Sequence, residues 1–258
     1  MPEPVLRIER LDVSFGHGSG RRHVLHEVSF DLSAGRTLGL VGESGSGKST
    51  VAKAVVGLVR PHGGRILLDG RDLTLVRKAE LHALRRRVQL IPQDPYASLN
   101  PRMTVGDAIA EAIDPRRGRL AEHRERVGEL LAKVALDPAA ADRYPAAFSG
   151  GQRQRIAIAR ALAVEPELII ADEVTSALDC SVQAEVLGVL DGLRRDMGLT
   201  MLFISHDLAV VRHVSDEVAV MSEGRIVEHR TRDELFDDPQ HAYTQLLLAS
   251  VPKVGPAA

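Results

Sequence analysis

One stretch of the chain combines glycines, a lysine and small hydroxyl side chains, in the order Gly42, Glu43, Ser44, Gly45, Ser46, Gly47, Lys48, Ser49 and Thr50. This order matches G-x-x-x-x-G-K-[ST], a loop whose glycines let backbone N–H groups converge on a phosphate. The apolar run TLGLV precedes the loop and the helix-forming run VAKAVVGL follows it, which is the strand–loop–helix context that the pattern requires. We therefore predict that Lys48 neutralises the β- and γ-phosphates of a bound nucleotide and that Ser49 binds Mg²⁺.

A pair of acidic residues, Asp172 and Glu173, directly follows the apolar run from Leu168 to Ala171. Successive side chains of a strand point in opposite directions, so the two carboxylates can have different tasks. We predict that Asp172 holds Mg²⁺ through a water molecule and that Glu173 orients or deprotonates the attacking water. The alternative is a pair of acids that caps a following helix.

Two further polar residues stand at the ends of strand-like runs. His206 lies in Ser205-His206-Asp207 after MLFI, where it can contact the γ-phosphate; the alternative is a capping serine beside a surface histidine. Gln93 follows VQLIP and could reach Mg²⁺ and the attacking water. By themselves these two positions leave the class of P-loop protein open.

A second segment has the features of an anion-binding helix start. It consists of Phe148, Ser149, Gly150, Gly151 and Gln152, and the amphipathic run RIAIARAL follows. The chain therefore carries two phosphate-recognising elements. Because one nucleotide rarely needs both from one chain, we expect each element to serve a different nucleotide in a head-to-tail dimer.

The elements that must position these residues follow from hydrophobic periodicity. Alternating apolar and polar residues between Val5 and Phe30 predict antiparallel strands, and Asp69-Gly70 predicts a hairpin turn after RILL. Helical patterns separate most of the remaining short apolar runs, which indicates an α/β fold with a parallel core sheet; these runs lie at 37–41, 88–91, 168–171, 201–204 and 218–221. We predict one domain over residues 1–250, with a helical subdomain inserted at about 95–165 and a flexible tail at 251–258.

Composition excludes several classes of protein. The 258 residues are 44% hydrophobic and 26% charged, as in an ordinary globular protein, and Lys+Arg 33 against Asp+Glu 35 leaves a net charge of −2. This balance argues against nucleic acid as a partner. The single cysteine, Cys180, rules out an internal disulfide and a Cys-based metal site and is typical of the cytosol. No apolar run approaches the roughly 18 residues of a membrane span, so we expect any membrane role to depend on a partner.

The segments GESGSGKST, Gln93, FSGGQ, LIIADE, SALD and His206 occur in this order, and together they resemble an ABC ATPase over nearly the whole chain. The resemblance implies a P-loop NTPase fold in which two cassettes sandwich two ATP molecules, each between one P-loop and the opposite signature segment. It implies Walker A at 42–50, Walker B at 168–172, catalytic roles for Lys48, Gln93, Glu173 and His206, a signature at 148–152, and a D-loop formed by Ser176, Ala177, Leu178 and Asp179.

Phe15 lies 33 residues before Lys48, where the resemblance implies an aromatic ring that stacks on adenine. The chain contains only eight aromatic residues, 5 Phe and 3 Tyr, so this placement is informative. The alternative is a core phenylalanine on a strand.

The segments QDPYASLNPRMTV and DDPQHAYTQLLLASVP resemble the ATPase subunits of dipeptide, oligopeptide and nickel importers. Departures are Val174 after the catalytic glutamate, Cys180 after the D-loop and Ala242 within the tail. The resemblance implies attachment through permease subunits to the cytoplasmic face of the membrane, a second ATPase subunit that is identical or related, and a solute-binding protein that delivers peptides, nickel or metallophores. The alternative is a soluble ATPase of a phosphonate-degrading carbon–phosphorus lyase complex, whose tail is similar.

Overall fold

The computed structural model describes residues 4–16, 20, 22–76, 80–94 and 98–250. The chain divides into two compact units: the first comprises Met1–Val76 with Met201–Ala258, and the second is Arg77–Thr200. The predicted tail at 251–258 lies outside the described residues, and the single domain over 1–250 stays a prediction. Among the helices that the structure describes, none is long and apolar enough to span a membrane.

The described residues form ten strands and nine α-helices, numbered in chain order. The strands are β1 Leu6–Phe15, β2 Arg22–Leu32, β3 Thr37–Val41, β4 Gly63–Leu68, β5 Arg71–Asp72, β6 Val88–Ile91, β7 Leu168–Asp172, β8 Thr200–Ile204, β9 Glu217–Ser222 and β10 Arg225–Thr231. The helices are α1 Lys48–Val55, α2 Leu81–Arg87, α3 Val105–Ile113, α4 Leu120–Lys133, α5 Gly150–Leu162, α6 Cys180–Met197, α7 Leu208–Val214, α8 Arg232–Asp237 and α9 Ala242–Ala249.

The first unit contains the predicted antiparallel sheet, with strand order β2-β1-β4-β5. Apolar and polar residues alternate along its strands because one face of the sheet packs into the core. Leu6, Ile8 and Val13 of β1 are at most 1% exposed. The turn between β4 and β5 is formed by Asp69 and Gly70, both with positive φ, which is the conformation that this residue pair favours in hairpins.

A second sheet in the first unit holds the strand that enters the glycine-rich loop. Its order is β10-β9-β3-β8, with β3 parallel to both β8 and β9, and with β10 antiparallel to β9. All five residues of β3 are buried. Helix α7 packs so closely on β3 that a Cβ at Gly39 would lie 2.6 Å from Val211 Cγ1. The antiparallel strand β10 adds an element that the sequence patterns did not indicate.

The second unit is built on a parallel pair of strands, β6 and β7, in the register Val88↔Leu168 to Ile91↔Ala171. Parallel pairing brings the carboxyl ends of the two strands to the same edge, so Gln93 and the Asp172-Glu173 pair follow neighbouring strand ends. Between residues 98 and 165 the structure describes helices and no strand, in agreement with the predicted helical character of this region.

Candidate functional site

The glycine-rich loop connects β3 to α1 in the first unit, and at two glycines no other residue fits. A Cβ at Gly42 would lie 2.0 Å from the Met221 carbonyl oxygen, and one at Gly47 would lie 2.7 Å from Leu25 Cδ2. Gly47 also has a φ of +109° as it begins helix α1, a conformation that L side chains rarely adopt. The loop therefore keeps its shape through contacts with β2 and β9.

Lys48 lies inside this loop and is only 3% exposed. Its Nζ donates hydrogen bonds to the carbonyl oxygens of Gly42 (2.7 Å) and Glu43 (2.8 Å) and to Ser46 Oγ (3.4 Å). Because a buried ammonium group is costly without partners, these three acceptors fix its position. Helix α1 has no side-chain cap at its start, and Ser49 and Thr50 lie half-buried in its first turn.

Phe15 ends strand β1, where it pairs with Arg22 of β2. It is 45% exposed, so it is not the core phenylalanine of the alternative interpretation. An exposed aromatic face at this edge of the first unit is compatible with stacking, which stays a prediction.

His206 follows β8 and is exposed, whereas its two neighbours have structural tasks. Asp207 caps helix α7 by accepting hydrogen bonds from the N–H groups of Ala209 (2.9 Å) and Val210 (3.3 Å). Ser205 Oγ accepts the Asp207 N–H at 3.0 Å. The cap thus comes from the aspartate, and the serine supports it.

Gln93, Glu173 and Ser176 come together in the second unit. Gln93 Nε2 donates to Glu173 Oε2 at 3.0 Å and to Ser176 Oγ at 3.1 Å, and Ser176 Oγ donates to the Glu173 carbonyl oxygen at 2.9 Å. Glu173 has a φ of +49°, a strained backbone conformation for a residue with a side chain. Asp172, the last residue of β7, is 7% exposed. The orientation of the Glu173 carboxylate is therefore set by the backbone conformation of Glu173 and by the hydrogen bond from the Gln93 side chain.

The rest of the predicted D-loop continues into helix α6. Asp179 Oδ1 accepts hydrogen bonds from the Val182 N–H (3.0 Å) and from the Ser181 hydroxyl (2.7 Å). These bonds, the backbone one foremost, lower the pKa of the Asp179 carboxyl below its usual value because they favour the charged form. Ala177 is exposed and Leu178 half-buried, so Asp179 is the helix cap among the four residues.

The predicted signature segment forms the start of helix α5. Ser149 Oγ accepts the Gln152 N–H at 3.3 Å, and Gln152 Oε1 accepts the Ser149 N–H at 3.0 Å, which is a complete capping box. A Cβ at Gly151 would lie 2.1 Å from Val182 Cγ1, whereas one at Gly150 would be 3.5 Å from Leu178 Cδ2. Gly151 is thus required by the packing of α5 on α6, a reason that the sequence did not reveal.

The predicted residues are therefore distributed over both units. Phe15, the glycine-rich loop and His206 belong to the first unit; Gln93, Asp172, Glu173, the signature segment and the D-loop belong to the second. Sequence reasoning missed Tyr243, whose Oη accepts the Glu43 N–H at 3.1 Å. These two residues are 200 positions apart, and no spacing rule connects them.

A glycine-rich loop with a buried lysine, placed between a buried strand and a helix, together with an acidic pair at the end of another buried strand, defines the P-loop NTPase class. A family model described as ABC transporter matches residues 25–176, and a model of the C-terminal region of oligopeptide/dipeptide transporters matches residues 227–258. The chain therefore belongs to the ABC transporter family, as an ATP-hydrolysing cassette. The predictions of family, fold class and ATPase activity are confirmed.

Similar proteins are named as import ATPases. A probable peptide ABC transporter ATP-binding protein of Sinorhizobium fredii is 52% identical over 238 residues, which are 90% of this chain and 66% of that protein. A putative peptide import ATP-binding protein of Brucella ovis is 47% identical over 99% of this chain and 81% of its own length. The glutathione import ATP-binding protein GsiA of Escherichia coli is 50% identical over 99% of this chain and 42% of its own length.

Solved structures of ABC cassettes share the fold. The cassette cbiO1 of Clostridium perfringens, part of the ABC transporter complex cbiONQ, superposes with a TM-score of 0.81 at 28% identity over 92% of both chains. The cassette MJ0796, solved as a dimer with ADP and phosphate after hydrolysis, gives a TM-score of 0.77 at 28% identity over 88% of this chain and 98% of its own.

Proposed function

We propose that this chain is the ATP-hydrolysing subunit of an ABC importer for peptides. The observation that carries the proposal is the buried Lys48 inside a formed phosphate loop, at the start of a helix without a side-chain cap. The names of the relatives support a peptide-class cargo and do not favour the soluble phosphonate-degrading alternative. Nickel and metallophore complexes are the further cargo class that the sequence resemblance implies.

The phosphate loop supplies binding and charge neutralisation. The N–H groups around Gly45 to Thr50 surround the β-phosphate, and the dipole of α1 favours the negative charge. Lys48 neutralises charge on the β- and γ-phosphates from a fixed position, since its ammonium is already held by backbone carbonyls. Phe15, exposed at the end of β1, stacks on the adenine ring.

The donors proposed for Mg²⁺ suit that ion by their chemistry. Ser49 offers a hydroxyl, Gln93 an amide oxygen and Asp172 a carboxylate, and Mg²⁺ prefers oxygen ligands and keeps several waters. Among the described residues there is no cluster of three or more His, Cys, Asp or Glu side chains that could hold a metal by itself. When bound, Mg²⁺ neutralises charge on the phosphate oxygens.

Glu173 is the proposed base for hydrolysis. Its carboxylate accepts a hydrogen bond from Gln93, which orients it, and we propose that it accepts a proton from the attacking water. The positive φ of Glu173 places the side chain at the strand end at a cost in strain, as is common at active sites. His206, exposed after β8, contacts the γ-phosphate and responds to its loss.

The signature segment and the D-loop are proposed to act on the nucleotide of a second cassette. Ser149 uses its oxygen lone pair within the capping box, so its O–H stays able to donate to a phosphate. Gly150 presents no side chain at the start of α5 and so allows close approach of a phosphate, whereas Gly151 is required by the packing on α6. The partner is an identical or related ATPase subunit. Within this chain, the hydrogen bond from the Ser176 hydroxyl to the Glu173 carbonyl oxygen connects the D-loop to the proposed base.

Permease subunits are proposed to hold the chain at the cytoplasmic face of the membrane, with an extracytoplasmic solute-binding protein that delivers the cargo. The second unit offers a cleft of about 480 Å³ next to the end of β6, where a short helix of a permease can dock; its lining includes Arg85, Arg86, Gln89, Pro92, Ser98 and Arg160. We propose residues 93–102 as the segment that contacts the permease; Ser98 of this segment lines the cleft, and residues 95–97 lie outside the described residues.

The test is purification of the tagged chain from membranes of its own organism. We expect two integral permeases to co-purify, to crosslink to residues 93–102, and to support ATP-driven uptake of a labelled dipeptide after reconstitution. The variant Glu173→Gln is the control and removes uptake without removing the crosslink. Co-purification with a soluble phosphonate-processing complex, or uptake without any crosslink in this segment, would contradict the proposal.

A further inference from the structure

One peptide unit of the phosphate loop is held at both of its ends. The carbonyl oxygen of Gly42 accepts a hydrogen bond from Lys48 Nζ at 2.7 Å, and the N–H of the same peptide, which belongs to Glu43, donates to Tyr243 Oη at 3.1 Å. Tyr243 lies near the end of the chain, on helix α9. Part of the C-terminal segment therefore contacts the loop that carries the proposed phosphate site.

Tyr243 reaches the loop because a buried carboxylate fixes the start of α9. Glu228 of β10 is 8% exposed and accepts the N–H groups of Gln240 (2.9 Å) and His241 (3.0 Å). Burial opposes ionisation of Glu228, but hydrogen bonding, which includes the bonds from these two N–H groups, outweighs it, so the pKa of this carboxyl is lowered. Strand β10 and its carboxylate thus anchor the helix that carries Tyr243.

The anchoring of α9 does not need the Tyr243 hydroxyl. Glu228 holds the residues that precede the helix, and Thr244 in its first turn is fully buried. The hydroxyl is directed instead at the Glu43 N–H, on the exposed side of the loop. The 42–43 peptide is thus held by one hydrogen bond at its carbonyl and one at its N–H, in addition to the close packing of Gly42 on Met221.

We propose that Tyr243 is a positioning residue for the phosphate loop. Its hydroxyl keeps the 42–43 peptide in the orientation that directs the Gly42 carbonyl at Lys48, and so keeps the ammonium group where it meets the phosphates. The inference rests on the proposed function, in which Lys48 binds nucleotide. It makes the C-terminal segment a contributor to nucleotide affinity as well as to stability.

The test compares ADP binding by titration calorimetry with ATP hydrolysis for Tyr243→Phe and the wild type. A net hydrogen bond between neutral groups predicts about two- to tenfold weaker ADP binding and an equal rise of KM for ATP. We expect kcat at saturating ATP and the melting temperature without nucleotide to stay as in the wild type. Tyr144→Phe, the same change at a tyrosine that is 54% exposed in the second unit, is the matched control and leaves ADP affinity unchanged.

Two further variants separate the possible failures. Glu228→Gln loosens the start of α9 and is expected to weaken ADP binding in the same direction as Tyr243→Phe. If Lys48→Ala loses ADP affinity while Tyr243→Phe and Glu228→Gln do not, the positioning role is wrong and the proposed function stands. If Lys48→Ala binds ADP as well as the wild type, the proposed function itself is wrong. A Tyr243→Phe variant that loses melting temperature but no ADP affinity shows a structural role only and overturns the inference.

Discussion

Two helices of this chain begin at a proposed phosphate site, and their first turns are built differently. Helix α1 starts behind Gly47 and has no side-chain cap. Helix α5 starts behind Ser149, and its capping box closes two of the open N–H groups. Since unsatisfied N–H groups at a helix start attract anions, we propose that a bound phosphate completes the start of α1, whereas side chains of the chain itself satisfy part of the first turn of α5.

This difference suggests two roles for two similar segments. The first turn of α1 belongs to the loop that we propose binds the chain's own nucleotide, so we expect nucleotide affinity to depend on that loop. The first turn of α5 is already formed before any nucleotide arrives, so it can be presented as a rigid surface to the nucleotide of a second cassette. Nucleotide affinity of the isolated chain should therefore depend on α1 and not on α5.

The largest expected difference between the two helices is in ATP affinity, compared between the variants Lys48→Ala at α1 and Ser149→Ala at α5. Loss of a charged hydrogen-bond donor at the phosphates should weaken ATP binding by about 10- to 100-fold, because hydrogen bonds to charged groups are the stronger ones. Ser149→Ala should leave ATP affinity of the isolated chain unchanged. Calorimetric titration of both variants checks this, and equal losses would mean that α5 contacts the nucleotide of its own chain.

A second comparison uses the two signature glycines. Gly151→Ala should destabilise the chain by about 1–3 kcal/mol, because its Cβ would lie 2.1 Å from Cγ1 of the stiff Val182 side chain. Gly150→Ala places its Cβ at an ordinary 3.5 Å from Leu178 and should cost no stability. Urea denaturation of both variants measures the difference. Equal midpoints would show that the packing of α5 on α6 does not require a glycine.

Loss of the capping box has a smaller expected effect on stability. Ser149→Ala should cost about 1 kcal/mol, as is typical for an N-cap serine. The matched control is Thr231→Ala, which removes the capping box that Thr231 forms with Glu234 at the start of α8. Both variants should lose similar stability, but only Ser149→Ala should also slow hydrolysis in the assembled importer. Equal hydrolysis rates would leave Ser149 with a capping role alone.

The smallest effect is expected for the adenine contact. Phe15→Ala should weaken ATP binding by roughly three- to tenfold if the exposed ring stacks on the base. Phe236→Ala, in α8 of the same unit, is the control and should leave binding unchanged. If the Phe15→Ala variant binds ATP with unchanged affinity, another residue must contact the adenine ring.

The sequence predicted best the elements that are buried along their whole length. Strand β3 coincides with the run TLGLV and strand β7 contains the run LIIA, because a continuous apolar run has one favourable location, in the core. Gly42 and Gly47 of the phosphate loop were predictable for a similar reason, since close contacts at both positions leave no room for a side chain. Local sequence patterns are sufficient to predict an element when burial or close packing of that segment alone determines its structure.

Contacts between distant segments could not be predicted. Strand β10 reads RIVEHRT, and its polar residues gave no strand signal because it lies at the edge of its sheet. The bond between Tyr243 and Glu43 joins residues 200 positions apart, and the left-handed backbone of Glu173 has no sequence marker. The pairing of Gln93 with Glu173 follows from strand order, which only the structure gives.

The most direct test of the central claim is a single turnover of ATP labelled in its γ-phosphate, with Mg²⁺, by the wild type and by Glu173→Gln. We predict that Glu173→Gln binds ATP with unchanged affinity and releases labelled phosphate at least about 100-fold more slowly, because an amide cannot accept the proton of the attacking water. Glu165→Gln is the matched control, since Glu165 also has a positive φ but pairs with Arg126 at the surface. Phosphate release by Glu173→Gln at the rate of the wild type would contradict the account.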